Sequence, residues 1–509
     1  MLLFQAVAGA QSMGGTITGV VTDANYQPIA NAAVQLVQME TNRKRNVATD
    51  QQGGFTFANL PPGDYRIEAE RDGYRKNAQQ LSLPLNHEMQ LEIPLVPGQR
   101  TETVQVTAVH GMLRTESAAL GGVIDNRQIT GLPLDGRNFF ELSLLLPGVA
   151  PAAPGSAGSV RGDFAINING AREDSNQFVL DGIFNGDPKL NGIAVTPPVD
   201  AVREFEVATS TYDAQSGRNS GGQMNVVLKS GANQIHGTAY EFLRNRVTDA
   251  RNFFAPPTEK SPQYQRNQFG GSLGGPVAHD RTFVFADYEG RRLREGLTRI
   301  TNVPTELERV GDFSRSNAYA INPFTQQPFS GNAIPKNLLS PIGLAIAALY
   351  PLPNRSVPGQ NFVSSPSQRD RDDHFDVRLD HHLRASDELS FRYSFGDRTL
   401  FEPFSNSSQV VVPGFGNEVP RRAQNAAVSH THTFTPNLLN ELRLGFNRIS
   451  AGVFQQNIDS NLNKLVGLPT VSSNARDSSS RKAFCCKRRR SRPALTMCLP
   501  RDQVTFSES

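Results

Sequence analysis

GRNFFELSLLLPGV at residues 136–149, NQFVLDGIFNGDP at 176–188 and VDAVREFEVATSTYDAQSGRNSGGQMNVVLKSGAN at 199–233 are the stretches on which the fold turns. In the first, Asn138 can cap a short helix, Glu141 stands three residues on as in a capping box, and Pro147 stops it. Read alone, the three blocks describe a mixed α/β domain that any secreted protein could carry. What flanks them decides the matter.

Toward the N-terminus, residues 15–97 are a run of short strands and turns. Thr16, Thr18 and Val20 alternate with Ile17 and Gly19, and Asp23-Ala24-Asn25 supplies turn chemistry. Val34 to Val37 is a second strand, Gly53-Gly54 turns into Phe55-Thr56-Phe57, and Pro61-Pro62-Gly63-Asp64 turns into Tyr65 to Ala69. Strands at this spacing predict a small β-sandwich. Thr103-Val104-Gln105-Val106-Thr107-Ala108 then forms one short alternating strand between a Pro-Gly linker and the next domain. A free strand of this kind can add to the sheet edge of a partner, or serve simply as a linker.

Toward the C-terminus the alternation lengthens. Phe375, Val377 and Leu379 face one way, and His374, Asp376, Arg378 and Asp380 the other. After a turn at Ala385-Ser386-Asp387, Leu389, Phe391, Tyr393 and Phe395 alternate with Ser390, Arg392 and Ser394. Thr435-Pro436-Asn437 precedes Leu442, Leu444 and Phe446, which alternate with Glu441, Arg443 and Asn447. A membrane barrel needs this dyad, apolar to lipid and polar to a wet lumen, although a soluble sandwich would alternate too. The Pro- and Asn-rich stretch 301–367 suits a large loop, with one helix expected from Ser340 to Tyr350 between Pro341 and Pro351.

Composition agrees with β structure and many turns: 43 Gly and 33 Pro in 509 residues, 38% hydrophobic, no Trp. No segment has the ~20 consecutive apolar residues of a spanning helix, so any membrane contact must be through a barrel. The net charge of +3 arises in the tail, where residues 473–509 hold nine Lys/Arg against three Asp/Glu. No basic face for nucleic acid is visible in the rest. All three cysteines (Cys485, Cys486, Cys498) lie in that tail, which excludes a disulfide scaffold or thiolate metal site elsewhere. At 473 the alternation stops and the composition jumps, as after a shifted reading frame. At the other end, Leu2, Leu3, Phe4 and Val7 with Ala8-Gly9-Ala10 read as the remnant of a signal peptide at 1–12.

With these residues in view, the chain resembles known families. GTITGVVTDANYQPIANAAVQL and TDQQGGFTFANLPPGDYRIEAERDGY are similar to the carboxypeptidase regulatory-like domain, whose fold is transthyretin-like and carbohydrate-binding-like. That resemblance implies a structural or glycan-contacting module without peptidase activity. The three opening blocks, in their order and spacing, resemble the plug domain of Oar-like TonB-dependent outer-membrane transporters. The resemblance implies plug-motif residues Gly136, Arg137, Asn138, Asp181, Gly182, Gly217, Arg218, Gly221 and Gly222. It makes Thr103 to Ala108 a TonB box, the contact for periplasmic TonB. HGTAYEFLRN, DARNFFAPP and RNQFGGSLGGPV resemble the first barrel strands.

The expected architecture is therefore mainly β. A transthyretin-like sandwich (13–97) leads to the TonB box and a mixed α/β plug (98–232), then to an incomplete antiparallel transmembrane β-barrel (233–472) and a basic tail. The resemblance implies uptake of a substrate across the outer membrane after Sec-type export, with no cofactor; carbohydrate and peptide are the classes the family offers, and nothing in the sequence selects one. The body holds roughly a third to a half of the ~22 strands of plugged transporters. This predicts a truncated product, inactive alone, that stays periplasmic or is degraded. Two rival classes are a secreted carbohydrate- or protein-binding module and an enzyme. No catalytic constellation, Gly-rich phosphate loop or nucleophile elbow supports the latter. Arg161-Gly162-Asp163 reads as accidental, and the pairs His430/His432 and His381/His382 as solvated strand faces, since two ligands make no metal site.

Overall fold

A computed structural model of the chain describes residues 14–98, 103–107, 120–153, 156, 164–189, 192–210, 219–250, 263–316, 319–357, 359–404, 412–435, 438–457 and 462–468. The signal-peptide reading, Ala108, Arg161-Gly162-Asp163, Gly217, Arg218 and the basic tail with its cysteines fall outside the described residues.

The N-terminal domain is a sandwich of two sheets. β1 (Gly15–Thr22) is flanked by β4 (Gly54–Leu60) and β7 (Glu88–Pro94). The second sheet runs in the order β3 (Arg43–Ala48), β2 (Ala33–Gln38), β5 (Gly63–Glu70), β6 (Lys76–Leu83), β8 (Thr103–Thr107). Alternate residues such as Ile17, Phe55, Phe57, Leu36, Ile67 and Leu91 point between the sheets and fill the core. The strand read as free is not free. β8 pairs in parallel with β6, Lys76 opposite Thr103 through Gln80 opposite Thr107. Its partner lies more than twenty residues earlier, so no local pattern announces the pairing.

The central domain is built on a five-stranded sheet. Its order is β13 (Ile183–Phe184), β12 (Gln177–Leu180), β15 (Gln223–Leu228), β14 (Val202–Ser210), β9 (Leu120–Asp125). A separate hairpin joins β10 (Val149–Pro151) to β11 (Ile166–Ile168). α1 (Asn126–Gly131) starts on an Asp125 capping box. The helix expected at Asn138 is a 3-10 helix, Phe139–Leu145. Asn138 accepts from the Phe140 N–H, so the cap bonds one residue earlier than a capping box would, and the helix ends at Leu146 before Pro147. It carries Phe139 and Phe140 against Phe205 and Phe178, a buried aromatic knot at centroid separations of 4.2–6.3 Å.

The largest sheet is antiparallel and follows chain order. β16 (His236–Asn245), β17 (Tyr264–Ala278), β18 (Thr282–Gly296), β21 (Ser367–Arg384), β22 (Asp387–Glu402), β23 (Asn417–Thr435) and β24 (Leu438–Ala451) are each paired to the next. Most of the block expected at 249–257 lies outside the described residues, between β16 and β17. Short turns join one end of the strands, as at 279–281 and 385–386, and long segments join the other. The longest holds β19 (Arg299–Thr301), β20 (Phe362–Ser364), α2 (Glu306–Arg309) and α3 (Pro341–Leu349). α3 has Ser340 as cap and Pro341 in its first turn, and it ends before Pro351, where the sequence put it. β25 (Phe454–Gln455) adds to β23, and α4 (Leu462–Leu465) follows. Among the described residues no strand pairs with the outer edge of β16 or of β24, so the sheet is open.

The expected dyad is present. Phe375, Val377, Leu379, Phe391, Tyr393, Leu444 and Phe446 lie on the face turned away from the rest of the protein. Midway along the strands of that face the rings gather, Phe375 stacking on Phe395 at 5.1 Å and Phe269 meeting Tyr288 at 6.3 Å. Toward the long loops the same face turns charged, with Asp373 opposite Asp397. Asp376, Arg378, Asp380, Arg392, Ser394 and Asn425 lie on the other face, which the central domain covers.

Candidate functional site: the central domain against the large sheet

β12 and β13 form a hairpin whose two turn residues, Asp181 (φ +46°) and Gly182 (φ +79°), both adopt the left-handed conformation. The turn projects onto the polar face of the large sheet. Asp181 accepts from the Leu228 N–H (3.1 Å) and pairs with Arg392 (3.0 Å) and Arg378 (3.5 Å). A Cβ on Gly182 would lie 1.6 Å from Arg443 Nη1, so a side chain there would have to displace the guanidinium. Ile183 fills the space that Gly445 leaves on β24.

The sheet grips the hairpin by its backbone. Arg392 donates to the Leu180 carbonyl (3.2 Å), Asn425 to Phe184 (3.0 Å) and Asn447 to Gly186 (2.8 Å). Arg378 donates to the Leu228 carbonyl (3.1 Å), and Arg421 to that of Ile193. Arg392 is 2% exposed, a full charge held by Asp181, Ser394 and carbonyls. A charge so buried is tolerated only with this degree of pairing.

A second grip involves Arg137. Its guanidinium pairs with Asp200 beside it and with Glu289 of β18 (3.2 Å), and sits 4.1 Å over the Tyr240 ring. Tyr240 Oη donates to Glu289 (2.7 Å), and Gln268 donates to the Gly136 carbonyl (3.0 Å). Phe285 of β18 enters the core of the central domain. Gly136, Arg137, Asp181 and Gly182 therefore meet the sheet. Asn138 caps its helix instead. Gly221 and Gly222 pack inside the central domain against Asn176 and Ile168, and Gly222 N–H donates to the Asn176 side chain (3.1 Å). Arg378, Arg392, Arg443, Asn425, Asn447, Tyr240 and Glu289 were not singled out as site residues. Their signal is the polar half of each strand dyad, where an Arg stands on the face that apolar neighbours avoid.

Between the central domain and the long-loop half of the sheet lies a cleft of about 710 Å3. Asp135, Glu141 and Thr196 line one side, Arg266, Arg291 and Arg398 the other. Its cations are compensated: Arg266 pairs with Asp135 (2.7 Å), and Arg291 and Arg398 with Asp370 (3.1 and 3.0 Å). Burial and the nearby Asp135 carboxylate push Glu141 upward. His430 and His432 share the open face of β23, and both reach the Asp387 carboxylate (3.2 and 2.7 Å).

At the short-turn end the sandwich is bonded to both other parts. Arg203 of β14 grips Glu40 through two bonds (2.8 and 3.0 Å), and Asn86 donates to Glu206 (2.7 Å). Arg43 pairs with Glu388, and Asn59 donates to Glu441 (3.3 Å). Glu204, 7% exposed at this junction, is pushed up to about 7 by burial; Arg203 and the Leu85 N–H only partly offset it, and Glu206 and Asp125 add to it.

Known proteins share these parts. Residues 16–96 match the carboxypeptidase regulatory-like domain. The TonB-dependent transporter Oar of Myxococcus xanthus is 27% identical over 319 residues, 59% of this chain and 29% of that protein. The chain thus spans under a third of that relative's length. Among solved structures, the outer-membrane transporter YddB of Escherichia coli is similar at 14% identity and a TM-score of 0.43, covering 66% of this chain and 40% of YddB. The ferric enterobactin receptor PfeA of Pseudomonas aeruginosa is similar at 14% and 0.39, over 65% of this chain and 41% of PfeA. The outer membrane beta barrel domain matches residues 227–485, just over half of the chain. The chain belongs to the outer-membrane β-barrel family.

Proposed function

We propose that the chain is the N-terminal portion of a TonB-dependent outer-membrane transporter of the Oar type, with a substrate still to be identified. In this reading the large sheet is barrel wall, the central domain is the plug that gates it, and residues 103–108 are the TonB contact. One observation carries it: the Asp181–Gly182 turn is held by wall groups Arg378, Arg392, Asn425 and Asn447 on a face whose reverse is apolar. The ion pairs and carbonyl bonds that hold the plug can be exchanged for water, and Phe285 is the wall residue that would have to leave its core. Similarity to Oar supports the same reading. Long loops outward and short turns inward are the rule for such barrels. They orient the cleft toward the outside and the sandwich toward the periplasm, where TonB acts.

Transport needs a closed wall. Two open edges expose unpaired N–H and C=O groups, each costing several kcal/mol in hydrocarbon. The described strands alone do not make a pore. Binding of the purified C-terminal domain of TonB to the full chain, followed by isothermal titration, tests the partner. Replacing Gln105 and Val106 together by proline removes an N–H from each edge of the strand and is expected to weaken binding about tenfold or more. Absence of binding, or equal binding by the variant, contradicts the reading.

A further inference from the structure

The strand read as the TonB contact is not a loose tether. β8 is the last strand of the five-stranded sandwich sheet, and β6 occupies one of its two edges. In a strand, successive residues direct their N–H and C=O groups to opposite sides. Pairing with β6 therefore uses only part of the β8 backbone. Among the described residues no strand pairs with its other edge.

The two edges of this sheet differ in kind. At the far edge, β3 reads RKRNVA; Lys44 is exposed, while Arg43 is turned onto Glu388 and Arg45 donates to the Ala58 carbonyl (2.8 Å). Charges on an edge strand are a common guard against unwanted pairing. β8 reads TVQVT, with no charge and no proline. The sheet is guarded on one side and open on the other, and the open side carries the proposed contact.

The sandwich is also anchored. Arg203–Glu40 and Asn86–Glu206 tie it to the central domain, and Arg43–Glu388 ties it to the short-turn end of the wall. The open edge of β8 is therefore held at the end of the molecule where TonB arrives.

From these observations we propose that TonB docks by adding its strand to the free edge of β8 while β8 stays paired with β6, so that sandwich, box and TonB share one continuous sheet. This rests on the reading of residues 103–108 as the TonB contact and specifies how that contact is made. Extension keeps every β6–β8 bond and orders only the partner's strand. Peeling β8 away would break those bonds before any new one formed. A consequence is that TonB pulls on the sandwich as well as on the segment leading to the plug.

The test locks β8 in place. In the full chain carrying C485S, C486S and C498S, the directly opposed residues Ala78 and Gln105 are replaced as A78C and Q105C. Opposed Cα atoms in a sheet lie within disulfide range. Affinity for the purified C-terminal domain of TonB is measured on the oxidised and reduced forms. The proposal expects the disulfide to form, and the locked form to bind within about threefold of the reduced one, or more tightly because the strand is preorganised. Failure of the disulfide to form overturns it. So does a loss of about tenfold or more on locking that reduction reverses, which means that β8 must leave β6. Binding by neither form overturns the TonB reading itself along with the proposal.

Discussion

Gly182 shows how a single residue joins two domains. Its φ of +79° and its contact with Arg443 both disfavour a side chain. Gly182→Ala is expected to cost about 1–3 kcal/mol, from backbone strain and displacement of the guanidinium. Faster amide exchange at Ile183 and Phe184, with the sandwich unchanged, checks this. Glu204 makes a different case. Burial raises it from 4.5 to about 7, so the folded chain prefers the protonated form. Its contribution is complete below 4.5 and is lost as the pH rises through about 7. Glu204→Gln should therefore match the wild type in acid and be more stable at about pH 8, by up to about 3 kcal/mol. Thermal melts of both proteins at the two pH values measure it. A variant that is less stable in alkali would contradict the assignment.

At the scale of elements, the β12–β13 hairpin docks through a charge pair that sequence reading half saw. Asp181 stood out within NQFVLDGIFNGDP, and Arg392 stood out only as the polar member of an alternating strand. Nothing local links residues 181 and 392, because their contact depends on how the large sheet faces the central domain. Arg392→Met leaves Asp181 with Arg378 and the Leu228 N–H and is expected to cost about 3–5 kcal/mol, as for other broken buried pairs. Combining it with Asp181→Asn should recover about 1–3 kcal/mol of the summed losses. Hydrogen-exchange free energies at the hairpin supply the cycle, and strict additivity would show that the pair is not coupled. What was legible followed the same logic. The dyads of β21, β22 and β24 and the cap and stop of α3 are local patterns, and all are present. The parallel seat of β8 on β6 and the 3-10 winding of Phe139–Leu145 depend on surroundings, and the sequence did not announce them.

At the scale of the molecule, one face of the large sheet is apolar over its short-turn half, with charged pairs such as Arg422–Asp397 beyond it, and the other face is spent on the central domain. Closure of the cylinder is what the described strands lack, since β16 and β24 both keep a bare edge. The polypeptide alone is therefore expected to yield no heat-modifiable band in an outer-membrane fraction. Such a band would show that the edges find partners. The central claim, apolar outward and plug inward, is tested most directly by spin labels in detergent micelles. Labels at Val377, Tyr393 and Leu444 should relax with oxygen and be shielded from a water-soluble nickel complex. A label at Ser394 should be shielded from both reagents while the central domain is docked. Nickel access at the three outward positions equal to that at an exposed loop would mean that this face meets water, and that the sheet is no membrane wall.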